Sequence, residues 1–411
     1  MKATRFLAAL AAVVLTACEA GYFDTMAPGD AEGGRGDSEM MGPEGDAGGS
    51  EDGSEGDSED NGNSLAGVVT AGEWNDLDNW GFWNALMDGQ NEGKFYEYLH
   101  YWSLYPMNRY AVTVVDEIGN PVCGAKVELF INDGETPIWT AISDNHGSAE
   151  LWYNIVTDVD TEEVKTFTAA VNGEKVSEPL HATSYGAEQV SMNTLVAKPA
   201  GTRKSADIAF IVDATGSMWD EIDFLKDDLL NIIQRASSGT NTTLRTGALF
   251  YRDEGDDYVT RVKDFNKDPE KVLKFIKEQK AAGGGDYPEA VHTALEKALQ
   301  DMSWEEGNYA RLAFLLLDAP PHYQRDVLDS IRQSIKLYAA SGIKIIPIAA
   351  SGVDKNTEFI LRLMAIFTDG TYTFITNHSG VGNDHIIPTV GEYQVEQLND
   401  LIVRLIKEYT E

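Results

Sequence analysis

The sequence predicts a multidomain chain: a doubly wound α/β domain at the C-terminal end, preceded by a small antiparallel β-sandwich. Three observations carry this. Beyond Ser205, continuous apolar runs at 208–212, 311–317 and 342–349 alternate with helical patterns, as buried parallel strands and their covering helices do. From about Asn108 to Ala197, short runs of alternating polarity are separated by Gly, Asn and Asp turns, as in an antiparallel sandwich. Ahead of both lies an acidic stretch rich in Gly and Ser with no apolar periodicity, which marks a linker.

Composition narrows the function. With 411 residues, 43% of them hydrophobic, the chain can bury two or three cores. Its net charge of −35 leaves no basic stripe to neutralise phosphates, which excludes nucleic acid as the partner. Between Gly29 and Gly62 twelve acidic residues stand against Arg35 alone, but most of the excess falls on the folded regions. Bound cations or a cationic ligand fit that balance. The two cysteines, Cys18 and Cys123, lie in different regions and build no disulfide framework. Cys123 is read as a small packed residue, because nothing in the sequence lowers its pKa.

Taken in order, residues 1–18 read as an export address. Lys2 and Arg5 precede an apolar run from Phe6 to Ala17, too short for a permanent membrane span. The run ends Leu15-Thr16-Ala17-Cys18, which resembles the lipobox of bacterial lipoproteins. That resemblance implies lipidation of Cys18, and Glu19 in the following position implies display at the outer membrane or cell surface. Residues 19–66 form an extended acidic tether, its like charges repelling. Residues 67–106 carry Trp74, Trp80, Trp83, Phe95, Tyr98, Tyr101 and Trp102, spaced for short amphipathic helices. Such helices either cap the next domain or offer an aromatic platform.

Residues 107–199 hold the β pattern, with strands expected at 110–115, 125–130, 139–142, 149–153 and 167–171. The run from Asp116 to Phe130 resembles the carboxypeptidase-regulatory or transthyretin-like β modules of surface proteins, and it implies an Ig-like spacer or secondary binding module. No catalytic constellation falls here.

Residues 204–411 form the α/β domain, with further strands at 244–251 and 371–375. Helices are expected at 219–236, 269–279, 288–302, 324–340, 357–367 and 395–409. In such sheets ligands gather at the carboxyl ends of the strands, and three loops there carry acids. Asp213-Ala-Thr-Gly-Ser217 offers one carboxylate and the hydroxyls of Thr215 and Ser217. Gly283-Gly-Gly-Asp-Tyr-Pro-Glu289 offers Asp286 before a helix opened by Pro288. Asp318-Ala-Pro-Pro-His322 follows a buried strand. Hard oxygen donors of this kind suit Mg2+, with Ca2+ or Mn2+ as alternatives. Asp253, Glu254, Asp256 and Asp257 form an acidic cluster in an expected hairpin, while His322 and His292 are read as a rim and a structural histidine.

Residues 205–411 thereby resemble a von Willebrand factor A domain, a Rossmann-like fold, with that family's metal-ion-dependent adhesion site. The resemblance implies metal contacts from the Thr215 and Ser217 hydroxyls, with Asp213 and Asp318 bound directly or through water. The sequence departs from the family pattern where many members supply a threonine and this chain has Asp286. The extra carboxylate strengthens intrinsic metal binding and weakens the metal's pull on an acidic ligand. The expected function is metal-dependent adhesion to an extracellular or envelope protein by a non-enzymatic, lipid-anchored protein. An assembly scaffold with a structural metal and a hydrolase using the metal site are the alternatives. Against the hydrolase, the chain has no Gly-x-Ser-x-Gly elbow, phosphate loop or His-Glu-x-x-His helix.

Overall fold

Ile208 to Val212 are each at most 1% exposed, and Leu312 to Leu317 and Lys344 to Ala349 are likewise buried. Strands so apolar on both faces can lie only in the middle of a covered sheet. The computed structural model places them there. It describes residues 68–88, 95–157, 165–379 and 385–411, apart from the single positions 133, 185, 188, 200 and 202. The export segment with Cys18 and the tether to residue 66 lie outside the described residues.

Among the described residues fifteen strands form three sheets. The largest has eight, in the order β11-β10-β9-β12-β13-β14-β1-β15. Its core is β9 (Arg203–Asp213), β10 (Thr243–Tyr251), β12 (Asn308–Leu317), β13 (Lys344–Ala349) and β14 (Tyr372–Thr376), all parallel. Antiparallel edges close it: β11 (Thr260–Asn266) on one side, and β1 (Thr70–Trp74) with β15 (Glu396–Gln397) on the other. The sheet is therefore mixed. A doubly wound domain is seen, but one of its strands comes from the aromatic segment that precedes the β module.

That segment also supplies two helices, α1 (Trp80–Met87) and α2 (Phe95–Trp102). They pack on α7 (Lys355–Phe367), where Trp83 stacks on Phe359 at 5.8 Å and Phe95 meets the same ring edge-on. Beneath them Arg362, fully buried, donates from Nε and Nη2 to Asp76 at 2.8 and 2.6 Å and from Nη1 to the Thr389 carbonyl at 2.6 Å. The aromatic residues are thus mainly core. The remaining helices are α3 (Trp219–Ser237), α4 (Pro269–Lys277), α5 (Val291–Asp301), α6 (Arg325–Ala340) and α8 (Leu398–Glu408). Asp268 and Asp354 cap α4 and α7, accepting from the Glu270 and Thr357 N–H groups.

The β module has a three-stranded sheet, β5-β2-β8, and a four-stranded one, β4-β3-β6-β7. These comprise β2 (Arg109–Val115), β3 (Lys126–Ile131), β4 (Trp139–Ile142), β5 (Ser148–Trp152), β6 (Phe167–Val171), β7 (Glu174–Lys175) and β8 (Met192–Val196). The four-stranded sheet is antiparallel, but β2 and β8 pair in parallel. The expectation of a wholly antiparallel module is corrected here. The chain reaches β8 from the other sheet, by a crossover that sets it running alongside β2 rather than back along it.

This module does not stand apart as a spacer. Trp152 meets Phe367 of α7 edge-on at 5.1 Å, and Trp139 lies 6.2 Å from the same ring. Buried Lys344 on β13 reaches Asp144 of the module at 3.2 Å and Asp369 at 2.6 Å. The described residues accordingly cluster as one compact unit. Cys123 sits at the same seam with its Sγ 3.5 Å from the Tyr309 carbonyl, and burial pushes its thiol up to about 12. That is a packed residue, not a nucleophile.

Candidate metal centre

The strand order turns at β9. From β9 the chain goes to β10 on one side, and later strands proceed from β12 on the other. A crevice opens at such a switch point, beyond the carboxyl ends of the two strands. Asp213 is the last residue of β9, and Asp318 directly follows β12.

Asp213 is fully buried. Its Oδ1 accepts from the Thr215 hydroxyl at 2.7 Å and the Thr215 N–H at 2.8 Å, and its Oδ2 is buried without a hydrogen-bond partner. Asp318, also buried, accepts from Ser217, while its Oδ1 has none. Glu289 shares this environment, 4% exposed with an unpartnered Oε2. Charged oxygens stripped of water and left unpaired are costly. Burial and then the Asp318 charge push the Asp213 carboxyl up to about 7. Burial and then Asp213 push Glu289 up to about 9, and Asp318 is raised by burial.

Glycine seats the second loop against the first. Ala282 N–H donates to the Ala214 carbonyl at 3.0 Å, and Gly216 N–H to the Gly283 carbonyl at 3.2 Å. Gly284 has φ +73°, and a Cβ there would lie 3.0 Å from Glu289 Oε1 and 3.3 Å from Thr215 Cβ. Gly284→Ala should therefore cost about 1–2 kcal/mol for the left-handed backbone alone, and shrink any stabilisation by metal. Thermal melts with and without Mg2+ check this, and an unchanged melt would show that the loop is not held as described.

Of the sequence-predicted residues, Asp213, Thr215, Ser217 and Asp318 come together, Ser217 being exposed at the mouth. Asp286 is exposed on the second loop and makes none of the contacts that join those four. The second-loop carboxylate that shares their electrostatics is Glu289. Sequence reasoning passed over it by opening a helix at Pro288. Instead α5 starts at Val291, and Glu289 pairs with the third loop, its N–H donating to the Pro320 carbonyl at 2.9 Å. The signal was available: a glutamate directly after proline, in a glycine-rich loop between two acidic ones.

Among the described residues no three His, Cys, Asp or Glu side chains form a ready-made metal cluster. A cation here would draw on hydroxyl and water oxygens as well. The buried oxygens of Asp213, Asp318 and Glu289 fit a hard divalent cation, because one oxygen of each is left without a hydrogen-bond partner among the described residues. Of the hairpin acids Glu254 and Asp257 are exposed, whereas Asp256 Oδ2 accepts from Asp253 N–H at 3.2 Å and Gly284 N–H at 3.0 Å. His322 Nε2 lies 2.6 Å from Asp253 Oδ1. That carboxylate, and not Ser217, is its hydrogen-bond partner.

Carboxylates and hydroxyls gathered at the switch point of a covered α/β sheet define a domain of Rossmann-like architecture. The particular family follows from comparison: residues 207–381 match the von Willebrand factor type A domain, and such a domain is found over that stretch. Domains of this family act generally in protein interaction and adhesion. The chain is 30% identical over 135 residues to a protein of Acanthamoeba polyphaga mimivirus named as ariadne-like RING finger protein R811. It is 29% identical over 131 residues to the alpha-protein kinase vwkA of Dictyostelium discoideum. These alignments cover 33% and 31% of this chain, but only 13% and 20% of the relatives' own length.

Proposed function

We propose that the von Willebrand factor A domain of this chain binds a divalent cation, Mg2+ foremost with Ca2+ or Mn2+ as alternatives, and through that end of the sheet holds an envelope or extracellular protein. The observation that carries the reading is the set of three buried carboxylates with unpartnered oxygens at the switch point. Asp213, Thr215, Ser217, Asp318 and Glu289 would hold the cation, with Asp286 at the loop's outer edge. Bound there, the cation would neutralise the buried carboxylates and offer a Lewis-acidic contact to a partner's oxygen. The protein's own residues orient the site: Thr215 fixes Asp213, and Ser217 fixes Asp318. Lipidation of Cys18 and an acidic tether would carry the domain away from the bacterial outer membrane. No nucleic acid is expected as partner.

Calorimetric melting with Mg2+ and with a chelator tests the metal. At 100 times its dissociation constant the cation should add about 2.7 kcal/mol. Identical melts would overturn the reading. A scaffold with a structural metal is the second reading, favoured by the shared core of β module and α/β domain. Capture of envelope or matrix proteins with and without chelator separates the two, since only adhesion through the metal is lost with it.

A further inference from the structure

Two of the three metal-site loops carry large exposed aromatic residues beside their acids. Tyr287 follows Asp286 and is 43% exposed, and Tyr323 follows His322 and is 47% exposed. Exposed aromatic residues of this size at a functional edge are the usual anchors of a protein interface. Tyr323 stacks on Tyr101 of α2, with ring centroids 4.0 Å apart and planes 24° apart, and Tyr101 is itself 39% exposed. The aromatic segment is thus buried on one side and shows tyrosine on the other.

Acids surround these rings. The Asp354 N–H donates to the Tyr287 hydroxyl at 3.1 Å, and the exposed Asp354 carboxylate is felt by the phenols of Tyr98, Tyr101 and Tyr287, each raised first by burial. On the other flank His322, next to Tyr323, holds Asp253 of the hairpin that also bears Glu254 and Asp257. Aromatic faces attract cations, and neighbouring carboxylates add to the attraction. Among cationic side chains the planar guanidinium lies flat on a ring while its edge donates to a carboxylate through two parallel N–H groups, a geometry an ammonium lacks.

We propose that this rim receives an arginine-bearing basic segment of the partner polypeptide, its guanidinium stacked on the Tyr323–Tyr101 pair and its charge met by Asp354. The inference rests on the reading of this sheet end as the partner-facing surface. It names a partner chemistry that complements the chain's charge of −35.

The test titrates the full-length chain with a labelled synthetic peptide of alternating arginine and glycine, against matched lysine and glutamate peptides. Arginine should bind most tightly, and Tyr323→Ala should weaken it roughly two- to fivefold. Tyr323→Phe, which keeps the ring face, should retain the affinity, and Asp354→Asn should weaken it. Equal affinity of wild type and Tyr323→Ala, lysine binding as well as arginine, or tightest binding of the glutamate peptide would each overturn the proposal. The Mg2+-dependent melt is read on the same proteins. Loss of that melt shift without loss of arginine preference marks a failure of the metal reading alone.

Discussion

Arg362→Ala should destabilise the fold by about 3–5 kcal/mol, because it leaves a buried carboxylate without its cation. Arg362 is fully buried, and Asp76, 4% exposed, takes two of its hydrogen bonds. Glu358 lies 3.5 Å away on the same helix, also fully buried. The guanidinium lies over Trp83 at 5.1 Å and Phe95 at 5.2 Å. Removing it opens a cavity among aromatic rings and leaves Asp76 without its cation, while Glu358 keeps Lys355 at 2.8 Å, so transfer and electrostatic losses add. Urea unfolding followed by tryptophan fluorescence measures the change. A loss below about 1 kcal/mol would mean that the aromatic segment is not held to the α/β domain through this pair.

Asp213→Asn should act in opposite directions with and without metal. The amide keeps an oxygen for the Thr215 donors but removes a buried charge, so the metal-free protein should melt higher than wild type. The roughly 2.7 kcal/mol of stabilisation expected from saturating Mg2+ should vanish. The pH dependence of wild type follows from the same groups. Unfolded, aspartate and glutamate ionise near pH 4, whereas folded and metal-free Asp213 and Glu289 hold their protons to about 7 and about 9. Their raised pKa values mean that the metal-free fold is favoured at low pH and loses stability as pH rises from about 4 through that window. Mg2+, which must displace those protons, should bind more tightly over the same rise. Melts at pH 5.5 and pH 8.5 check both signs. A metal-free protein that gains stability on going to the higher pH would refute the assignment.

Most of the α/β domain was legible in the sequence. Runs such as 208–212 and 311–317 are apolar on both faces, and only a central parallel strand buries both, so their place followed from composition. Asp213 and Asp318 were legible because they directly follow such runs. Within the loop from Asp213 to Ser217 the Thr215–Asp213 contact is local, whereas Ser217 reaches Asp318 only across the fold. The β strands were equally plain from alternation and turns, but the parallel pairing of β8 with β2 was not. Alternation fixes which face a strand shows and says nothing of its neighbour's direction.

What tertiary structure alone decided concerns residues whose partners are distant in the chain. The aromatic segment from Trp74 to Trp102 has helical spacing, but its strand β1 acquires a ladder only by meeting β14, some 300 residues on. Glu289 looked like the first turn of a helix after proline, and is drawn to the third loop because its N–H is taken by Pro320. The strand-end positions of Asp213 and Asp318 and the local contact of Thr215 with Asp213 were determined by the sequence itself, through strand burial and a two-residue hydrogen bond. Glu289, the aromatic cap and the tyrosine rim were decided only when separate loops and helices closed on one another, because long-range burial has no local pattern to announce it.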